Sequence, residues 1–497
     1  MESETPVIPQ TPSAPANLAT TTIRGTLWTY ASYYGGKVMV FLSTIILARL
    51  LLKEDFGVAG YALTVIALLD VHADLGVGTA LIYYRDDPNA SDTAFWLSMG
   101  IGLGLFGLVW IAAPSAGAYF NDDRAIPLTR ALALTLPISA LSNVQNMLLR
   151  KNLQFGRKMI PDMLRATSKG VFSILFALLG MGAWALVWGQ VAGTAISTFA
   201  YWWVLPWRPS FNFVRAIARR LLSYGLGIFS VNTLNIFVAN ADYLFVGRYL
   251  GAEALGAYTL AFRIPELVIL QFCNIISRVV FPIYAKIREE PGALGRGFLI
   301  TERYTALVTV PLGLGLALVA DPFVRAFLTQ KWVDAIPVMR AISIYALFLS
   351  FGYNAGDVYK AQGRPMLLTW LTIVQGFILV PALYWAATAL GSIEAVGWTH
   401  AVVAFIVSVI DLTVALWMIK TPLSAMLDAL RPAFVSGAVM SAGVWGALLG
   451  LSHLDPWAQL LIALPLGGAM YLGSLWLLER ALVAEAADTL RAAFKRR

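Results

Sequence analysis

Long apolar stretches separated by short polar turns run along almost the whole chain. From residue 25 onward the apolar runs have lengths of roughly 20 residues, which is what an α-helix needs to cross a bilayer. In lipid such runs have to be helical, because each backbone N–H and C=O must be satisfied within its own segment. The pattern predicts about fourteen membrane-spanning helices, at residues 25–50, 57–84, 93–118, 127–149, 159–180, 183–205, 221–247, 254–280, 297–320, 334–359, 366–390, 393–419, 432–451 and 457–479.

One short phrase occurs twice along the chain. The segments LARLLLKEDFGVA at 47–59 and VGRYLGAEALGAY at 246–258 align at an offset of 199, which places Arg49 over Arg248 and Gly57 over Gly256. Both copies lie at a predicted outer turn, after the first and the seventh span. Six spans separate them, so the two halves have the same orientation, as in parallel transporter repeats. Chance coincidence of Gly- and Leu-rich turns is the alternative, and a second pair of matching inner turns, LLRKNLQFGRK and VYKAQGRP, weakens it.

These patterns predict an all-α, polytopic membrane protein with two six-helix lobes in parallel pseudo-repeat and two further C-terminal helices. The predicted divisions are a flexible cytoplasmic tail at 1–23, an N-lobe at 24–205, an inter-lobe linker at 206–220, a C-lobe at 221–419, helices 13 and 14 at 420–480 and a basic cytoplasmic tail at 481–497.

Composition and charge placement agree with this prediction. Hydrophobic residues make up 59% of the 497 positions and charged residues only 13%, against about a quarter in soluble domains. With an inner N-terminus, twenty-two Lys and Arg residues fall on the inner side and eight on the outer side, as the positive-inside rule requires. We therefore expect a multi-pass protein of the inner (cytoplasmic) membrane type with both termini cytoplasmic. The net charge of +8 is explained by topology, so nucleic acid is not an expected partner.

Several basic residues fall inside the predicted spans, where a charge costs about 2.5–3.5 kcal/mol at the bilayer centre. Lys37 shares a helical face with Tyr33, and Lys169 shares one with Arg165. Aromatic rings beside a cation suit a sugar or a phosphate group, although an ordinary packing stripe would have the same spacing. The candidate substrate-binding residues are Lys37, Arg165, Lys169, Arg263, Tyr33 and Asn235.

Acidic residues inside the spans are candidates for ion coupling. Asp70 and Asp74 lie one turn apart, and two carboxylates so placed repel each other, so that one tends to hold a proton. They could instead each pair with a basic residue such as Lys37. Asp242 is the third candidate, and the coupling cation would be Na⁺ or H⁺. Glu302 is expected near the inner surface, with its charge reaching water.

The sequence lacks the motifs of several other functions. It contains no P-loop for ATP and no H-E-x-x-H or other metal-ligand spacing. A single cysteine, Cys273, can form no intramolecular disulfide. No loop is long enough for a soluble catalytic domain, so we expect neither an enzyme nor a resident cofactor or metal.

The chain resembles the polysaccharide transport branch of the multidrug/oligosaccharidyl-lipid/polysaccharide exporter superfamily. The phrases that carry the resemblance are ILARLLLKEDFGVAGYA, DLGVGTALIYYRD, LLRKNLQFGRK, GAWALVWGQ, NADYLFVGRYLGAEALGAYTLAFRI, RVVFPIYAKI and YKAQGRP. The resemblance implies flipping of polyprenyl-diphosphate-linked oligosaccharides across the inner membrane by alternating access, driven by an ion gradient, for exopolysaccharide, capsule or O-antigen synthesis. It also implies that cations such as Lys37, Arg165, Lys169 and Arg263 meet the diphosphate or acidic sugars, with polysaccharide polymerase and export proteins as possible partners.

Two other functions remain compatible with the sequence. A drug/cation antiporter of the related branch would have the same fold but an acid-dominated cavity, which Asp70 and Asp74 favour and Lys37 and Lys169 oppose. A membrane polymerase or ligase would need a large extracytoplasmic loop with catalytic residues, and none is visible.

Overall fold

The structure is a computed structural model that describes residues 35–70, 77, 81, 89–152 and 154–480, with the backbone alone at 224–232. Tyr33 and Asp74 lie outside the described residues, as do the predicted tails. Every regular element in the described part is helical. This confirms the all-α prediction for those residues.

The first half of the chain supplies seven helices to the described part. Helix α3 ends at Asn121, whose left-handed φ of 55° turns the chain, and Gly180 and Gly182, with φ of 77° and 55°, form the turn between α6 and α7. These helices are α1 at 35–50, α2 at Lys53–Asp70, α3 at Ala90–Phe120, α4 at Ala125–Ala133, α5 at Thr135–Lys151, α6 at Phe155–Leu178 and α7 at Ala183–Val204.

The second half begins with a helix that two predicted spans share. Helix α8 runs over Arg215–Pro265 but breaks at Gly251, where φ is 84° and ψ is −175°, a conformation that only glycine adopts without strain. The break lies within the second copy of the repeated phrase. The remaining helices of seven residues or more are α9 at Gln271–Ile287, α10 at Ala293–Leu318, α11 at Ala335–Tyr353, α12 at Ala355–Ala361, α13 at Pro365–Trp385, α14 at Ile393–Met418, α15 at Leu423–Gly450 and α16 at Pro456–Leu478.

Length and hydropathy confirm a protein that crosses a membrane several times. Within the described part, eight helical segments can cross a bilayer, or nine if Ala293–Leu318 and Ala320–Leu328, bent by 70°, form one span. Part of the first two predicted spans lies outside the described residues, and one of the eight segments, Thr233–Ile287, extends across the break at Gly251. The number fourteen therefore stays a prediction.

A large hydrophobic core joins the two halves at the end that the predicted topology places outside, here called the outer end. This core combines Leu51 and Phe56 from the first half with Tyr258 and Trp332 from the second. A further core is built from residues of the second half, and another from residues of α3, α5 and the start of α8. Among the described residues, packing between the halves is thus concentrated at the outer end.

Candidate functional site

A cavity of about 900 Å³ lies between the two halves. Helices α1, α2, α6 and α7 line one side, and α8, α11, α13 and α14 line the other. Its wall is mixed, with apolar side chains and a set of hydrogen-bonding or charged groups. The polar groups are Ser43, Thr44, Thr64, Lys169, Ser173, Asn235, Asn240, Tyr243, Thr259, Arg263, Glu266, Tyr345, Tyr353, Thr372, Gln375 and His400.

Two cations from opposite halves face this cavity. Lys169 on α6 and Arg263 on α8 both line the wall and are close enough to interact electrostatically. Arg263 donates to Glu266 at 3.0 Å, so its charge is partly balanced, as its i, i+3 spacing predicts. Among the described residues, Lys169 makes neither a salt bridge nor a hydrogen bond. Within the described part of the chain, the cavity therefore offers the Lys169 amine, without a carboxylate partner, beside the Arg263 guanidinium.

Small residues bring the helix of Lys169 close to its neighbours. A Cβ added at Gly193 of α7 would lie 2.9 Å from the Lys169 Cβ, and one at Gly189 would lie 1.9 Å from the Ser173 Oγ. On the other side, a Cβ at Gly170 would lie 2.9 Å from Ser43 of α1. Such close packing is how small residues join helices in membranes. It holds α6 between α1 and α7.

The other predicted binding residues lie around this pair. Asn235 lines the cavity. Lys37 is half-buried and interacts electrostatically with Arg263 and Glu266, and Arg165 is half-buried, one turn before Lys169. Neither Lys37 nor Arg165 is part of the cavity wall. The structure thus brings Lys169, Arg263 and Asn235 together and places the other two cations beside them.

The acidic residues of α2 and α6 have other partners than their positions along the sequence suggest. Asp162 binds the Lys158 Nζ at 2.5 Å and accepts a hydrogen bond from the Tyr201 hydroxyl at 2.7 Å, so it does not neutralise Arg165. The electrostatic partner of Asp70 is Arg165. Spacing along one helix predicts which side chains of that helix are neighbours. It cannot predict contacts with side chains of another helix, such as those of α7.

Asp242 lies behind the cavity wall, not in it. It is fully buried, accepts a hydrogen bond from the Tyr258 hydroxyl at 2.8 Å, and has the His400 Nε2 at 3.4 Å from the same oxygen. Its other oxygen, Oδ1, has no partner among the described residues. His400 also lines the cavity, so it connects Asp242 with that space. Neither partner is predictable from the sequence, because a lone histidine and a tyrosine in apolar spans carry no pairing signal.

The repeated phrase closes the outer end, and its two arginines make equivalent contacts. Arg49, at the end of α1, donates to the carbonyls of Ala326 and Phe327 at 2.8 and 2.9 Å. Arg248, in the other copy, donates to the carbonyls of Ala118 and Tyr119 at 3.1 and 2.5 Å. In each case the accepting carbonyls end a helix of the opposite half, where backbone acceptors lack intrahelical partners.

The segment after Leu328 completes this closure. The Lys331 ammonium donates to the carbonyls of Arg49 and Leu51 at 2.8 and 2.7 Å, and the Trp332 indole N–H donates to that of Ala48 at 2.8 Å. Asp334 pairs with Lys53. Cations at a helix C-terminus also match the helix dipole. The end of α1 and the start of α2 are thus held by Lys331, Trp332 and Asp334 of the second half.

The two repeated glycines meet in the same closure. A Cβ added at Gly57 would lie 1.7 Å from the Ala252 carbonyl oxygen, and one at Gly256 would lie 2.0 Å from the Lys53 carbonyl oxygen. Each glycine thus allows its helix to approach the backbone of the opposite half. Contacts of Arg49, Arg248, Lys331 and Trp332, with these glycines, are called the outer closure below.

The fold, the cavity between two similar halves and its charged wall define a multi-pass membrane protein of the transporter type. Residues 46–337 match the family described as polysaccharide biosynthesis protein. The chain belongs to this family, which confirms the resemblance seen in the sequence.

Individual relatives agree with this assignment. The chain is 30% identical over 397 residues to the teichuronic acid biosynthesis protein TuaB of Bacillus subtilis, which covers 79% of this chain and 81% of that protein. It is 24% identical over 487 residues to the succinoglycan biosynthesis transport protein ExoT of Rhizobium meliloti, with 95% and 96% covered. The solved inward closed conformation of the lipid II flippase MurJ superposes with a TM-score of 0.76 at 14% identity, covering 92% of this chain and all of that one. This last likeness shows the fold.

Proposed function

We propose that the protein is a flippase that moves a polyprenyl-diphosphate-linked oligosaccharide across the bacterial inner membrane for surface polysaccharide synthesis, by alternating access. The observation that carries the proposal is the pair Lys169 and Arg263, which face one closed-ended cavity from opposite halves. The names of the relatives support it, since one is a transport protein for succinoglycan biosynthesis and another serves teichuronic acid biosynthesis.

The cavity chemistry suits the head group of such a lipid. A diphosphate carries negative charge, and hydrogen bonds to charged groups contribute about 1.5–3 kcal/mol each. Lys169 and Arg263 supply such donors directly, with Lys37 and Arg165 adding positive potential. The hydroxyl groups of sugars would bind Asn235 and Gln375, which line the same space.

The size of the cavity determines how much of the lipid-linked molecule can enter it together with the head group. Its volume of about 900 Å³ is at the upper end of ordinary ligand pockets, which hold about 300–1,000 Å³. That space holds a diphosphate and a few sugars but not the long polyprenyl chain. The chain would therefore stay in the bilayer while the head group passes between the halves.

The outer closure defines one end state of the transport cycle. Release to the outside requires that the contacts of Arg49 and Arg248 break and that the halves separate at Gly57 and Gly256. Their reciprocal arrangement suits rocking of one half against the other, the general motion of transporters built from repeats.

An ion gradient would drive the cycle through carboxylates that lie within the predicted spans. Asp242 has an unpartnered oxygen and a histidine beside it, which is suited to binding H⁺ or Na⁺. Asp70 is exposed at the end of α2 and interacts electrostatically with Arg165. It would therefore respond when substrate binds near Arg165. Asp74 remains the third candidate from the sequence.

The cavity gives less support to a drug/cation antiporter. Its described wall contains one carboxylate, Glu266, and this group is paired with Arg263 at 3.0 Å. An organic cation would meet Lys169 with no free acid to balance the contact. Anionic head groups are therefore the better match.

The test is the variant Lys169→Ala in a strain that lacks the chromosomal copy. We expect surface polysaccharide to fall at least about tenfold, because losing one charge-assisted contact of 1.5 kcal/mol or more corresponds to that factor. The matched control is Lys286→Ala, an exposed lysine at the end of α9. Normal polysaccharide with Lys169→Ala at equal membrane abundance would contradict the proposed role of the cavity.

A further inference from the structure

A carboxyl group lies buried in the second half, away from the cavity. Glu302 of α10 is 0% exposed, although its sequence position suggested an inner surface. Its Oε1 accepts a hydrogen bond from the Asn354 Nδ2 at 3.2 Å, and its Oε2 has no partner among the described residues. Neighbouring Arg303 pairs instead with Glu479 at 2.9 Å. Within the described part, the charge of Glu302 is therefore uncompensated.

Asn354, the partner of Glu302, also has a buried oxygen without a hydrogen bond among the described residues. It is 0% exposed and lies at the junction between α11 and α12. Its Nδ2 also donates to the Thr305 Oγ1 at 3.2 Å, but its Oδ1 has no donor among the described residues. A buried amide oxygen and a buried carboxyl oxygen, both without partners, are unusual because nearly all such groups are hydrogen-bonded.

We propose that Glu302 and Asn354 form a proton-binding site that lies apart from the central cavity. A proton on Oε2 removes the buried charge and turns this oxygen into a donor for the Asn354 Oδ1. Together with the bond from Nδ2 to Oε1, the carboxylic acid and the amide then make a reciprocal pair. One proton thus gives both unpartnered oxygens a hydrogen bond. An ionised carboxylate in an apolar interior is, by contrast, strongly disfavoured.

Among the described residues, no cation is placed against Glu302 to compete with a proton. The titratable groups that interact with Glu302 from α9 are the thiol of Cys273 and the hydroxyl of Tyr284, both buried. Asp357 of α12 interacts with Tyr284 but pairs with Lys360 at 3.0 Å. In the described part of the chain, no charged group of α11 or α15 interacts with Glu302. A proton is therefore the charge-balancing ligand that this environment favours.

The two helices that carry the pair extend to the outer closure. Helix α10 leads through the bent segment Ala320–Leu328 to the carbonyls that Arg49 binds, and α11 begins directly after Asp334. Glu302 and Asn354 thus bridge the two helices that flank the closing segment. Loss of the proton would weaken this bridge and change how the helices hold that segment. This coupling role rests on the proposed function, whereas the proton site itself does not.

Infrared difference spectroscopy on the purified full chain in lipid tests the site. We expect the wild type to show a protonated carboxyl band at neutral pH that Glu302→Gln lacks, with or without sodium in the buffer. A Gln side chain at this position has nearly the same shape as that of Glu302 and can still hydrogen-bond to Asn354, so the variant should fold. In Asn354→Ala the same band should remain and shift in frequency, because its acceptor is lost. Glu479→Gln, at the paired surface position, is the control and should keep the band.

Two spectroscopic results would overturn the site: equal spectra for wild type and Glu302→Gln, or a band that disappears when sodium is added. The coupling role is tested separately by surface polysaccharide, which we expect to fall at least fivefold in Glu302→Gln and to recover in Glu302→Asp. Unchanged polysaccharide in Glu302→Gln would overturn that role. If the proposed function itself were wrong, Lys169→Ala would leave polysaccharide unchanged while the infrared band persisted.

Discussion

Replacing Gly57 by alanine should shift the protein toward a state that is open at the outer end. The added Cβ would lie 1.7 Å from the Ala252 carbonyl oxygen, whereas non-bonded heavy atoms approach to about 3.5 Å. The two backbones must therefore separate by roughly 1.5–2 Å at this point. Overpacking of this kind costs about 1–3 kcal/mol, and only the closed state bears that cost, because the contact is absent once the halves separate.

The expected shift follows from that free energy. A difference of about 1–3 kcal/mol changes the ratio of closed to open molecules by a factor of roughly 5 to 150. Gly256→Ala should act in the same direction through Lys53, whose carbonyl oxygen would lie 2.0 Å from the new Cβ. The double variant should not exceed the sum of the two effects, because both substitutions open the same interface.

Cysteine accessibility measures the shift. The reporter is Thr44→Cys, since Thr44 lines the cavity, in a Cys273→Ser background that removes the only native cysteine. A membrane-impermeant thiol reagent added outside should label Gly57→Ala several times faster than the parent. Gly104→Ala is the control, because nothing lies within 4 Å of its Cβ. Equal labelling rates in Gly57→Ala and the parent would refute the role assigned to the repeated glycines.

Three further predictions concern separate parts of the molecule. Arg49→Ala should also raise outside labelling of the reporter cysteine, since two hydrogen bonds to the opposite half are lost; unchanged labelling would count against the closure. If His400 assists Asp242, His400→Phe should reduce export more without a strong proton gradient than with one. An equal reduction under both conditions would show that the two residues do not act together. In the α3–α4 loop, hydrogen bonds from Arg124 hold the pKa of Asp122 below its usual range. The pair therefore stabilises the fold at neutral pH, and this contribution disappears as pH falls below about 4, so the unfolding temperature of Asp122→Asn should change less than that of the wild type over this range.

The sequence was most informative where a feature repeats or extends over many residues. Long apolar runs predicted the helices, and the offset of 199 between Arg49 and Arg248 predicted two equivalent halves. The structure gives these arginines a shared role that the sequence could not reveal, because their acceptors are backbone carbonyls of the opposite half. Backbone acceptors have no residue signature.

The site was predicted only in part for a related reason. Lys169 and Arg263 were found because a cation in an apolar span is conspicuous, whatever the fold around it. The partners of Asp242, Tyr258 and His400, come from other helices, and their approach depends on how those helices pack. Glu302 was placed near the surface because its depth was judged along one helix, whereas its burial is produced by α9, α11 and α15 around it.

The central claim is that the two halves carry an anionic lipid head group through the cavity that Lys169 and Arg263 share. The most direct measurement reconstitutes the purified protein in liposomes that contain a fluorescent polyprenyl-diphosphate oligosaccharide and follows its exposure to an impermeant quencher. The account predicts transfer between leaflets by the wild type and at least a hundredfold slower transfer by the Lys169→Ala, Arg263→Ala double variant, since two charge-assisted contacts of about 1.5 kcal/mol or more are lost. Equal transfer by the wild type and this double variant, both folded, would contradict it.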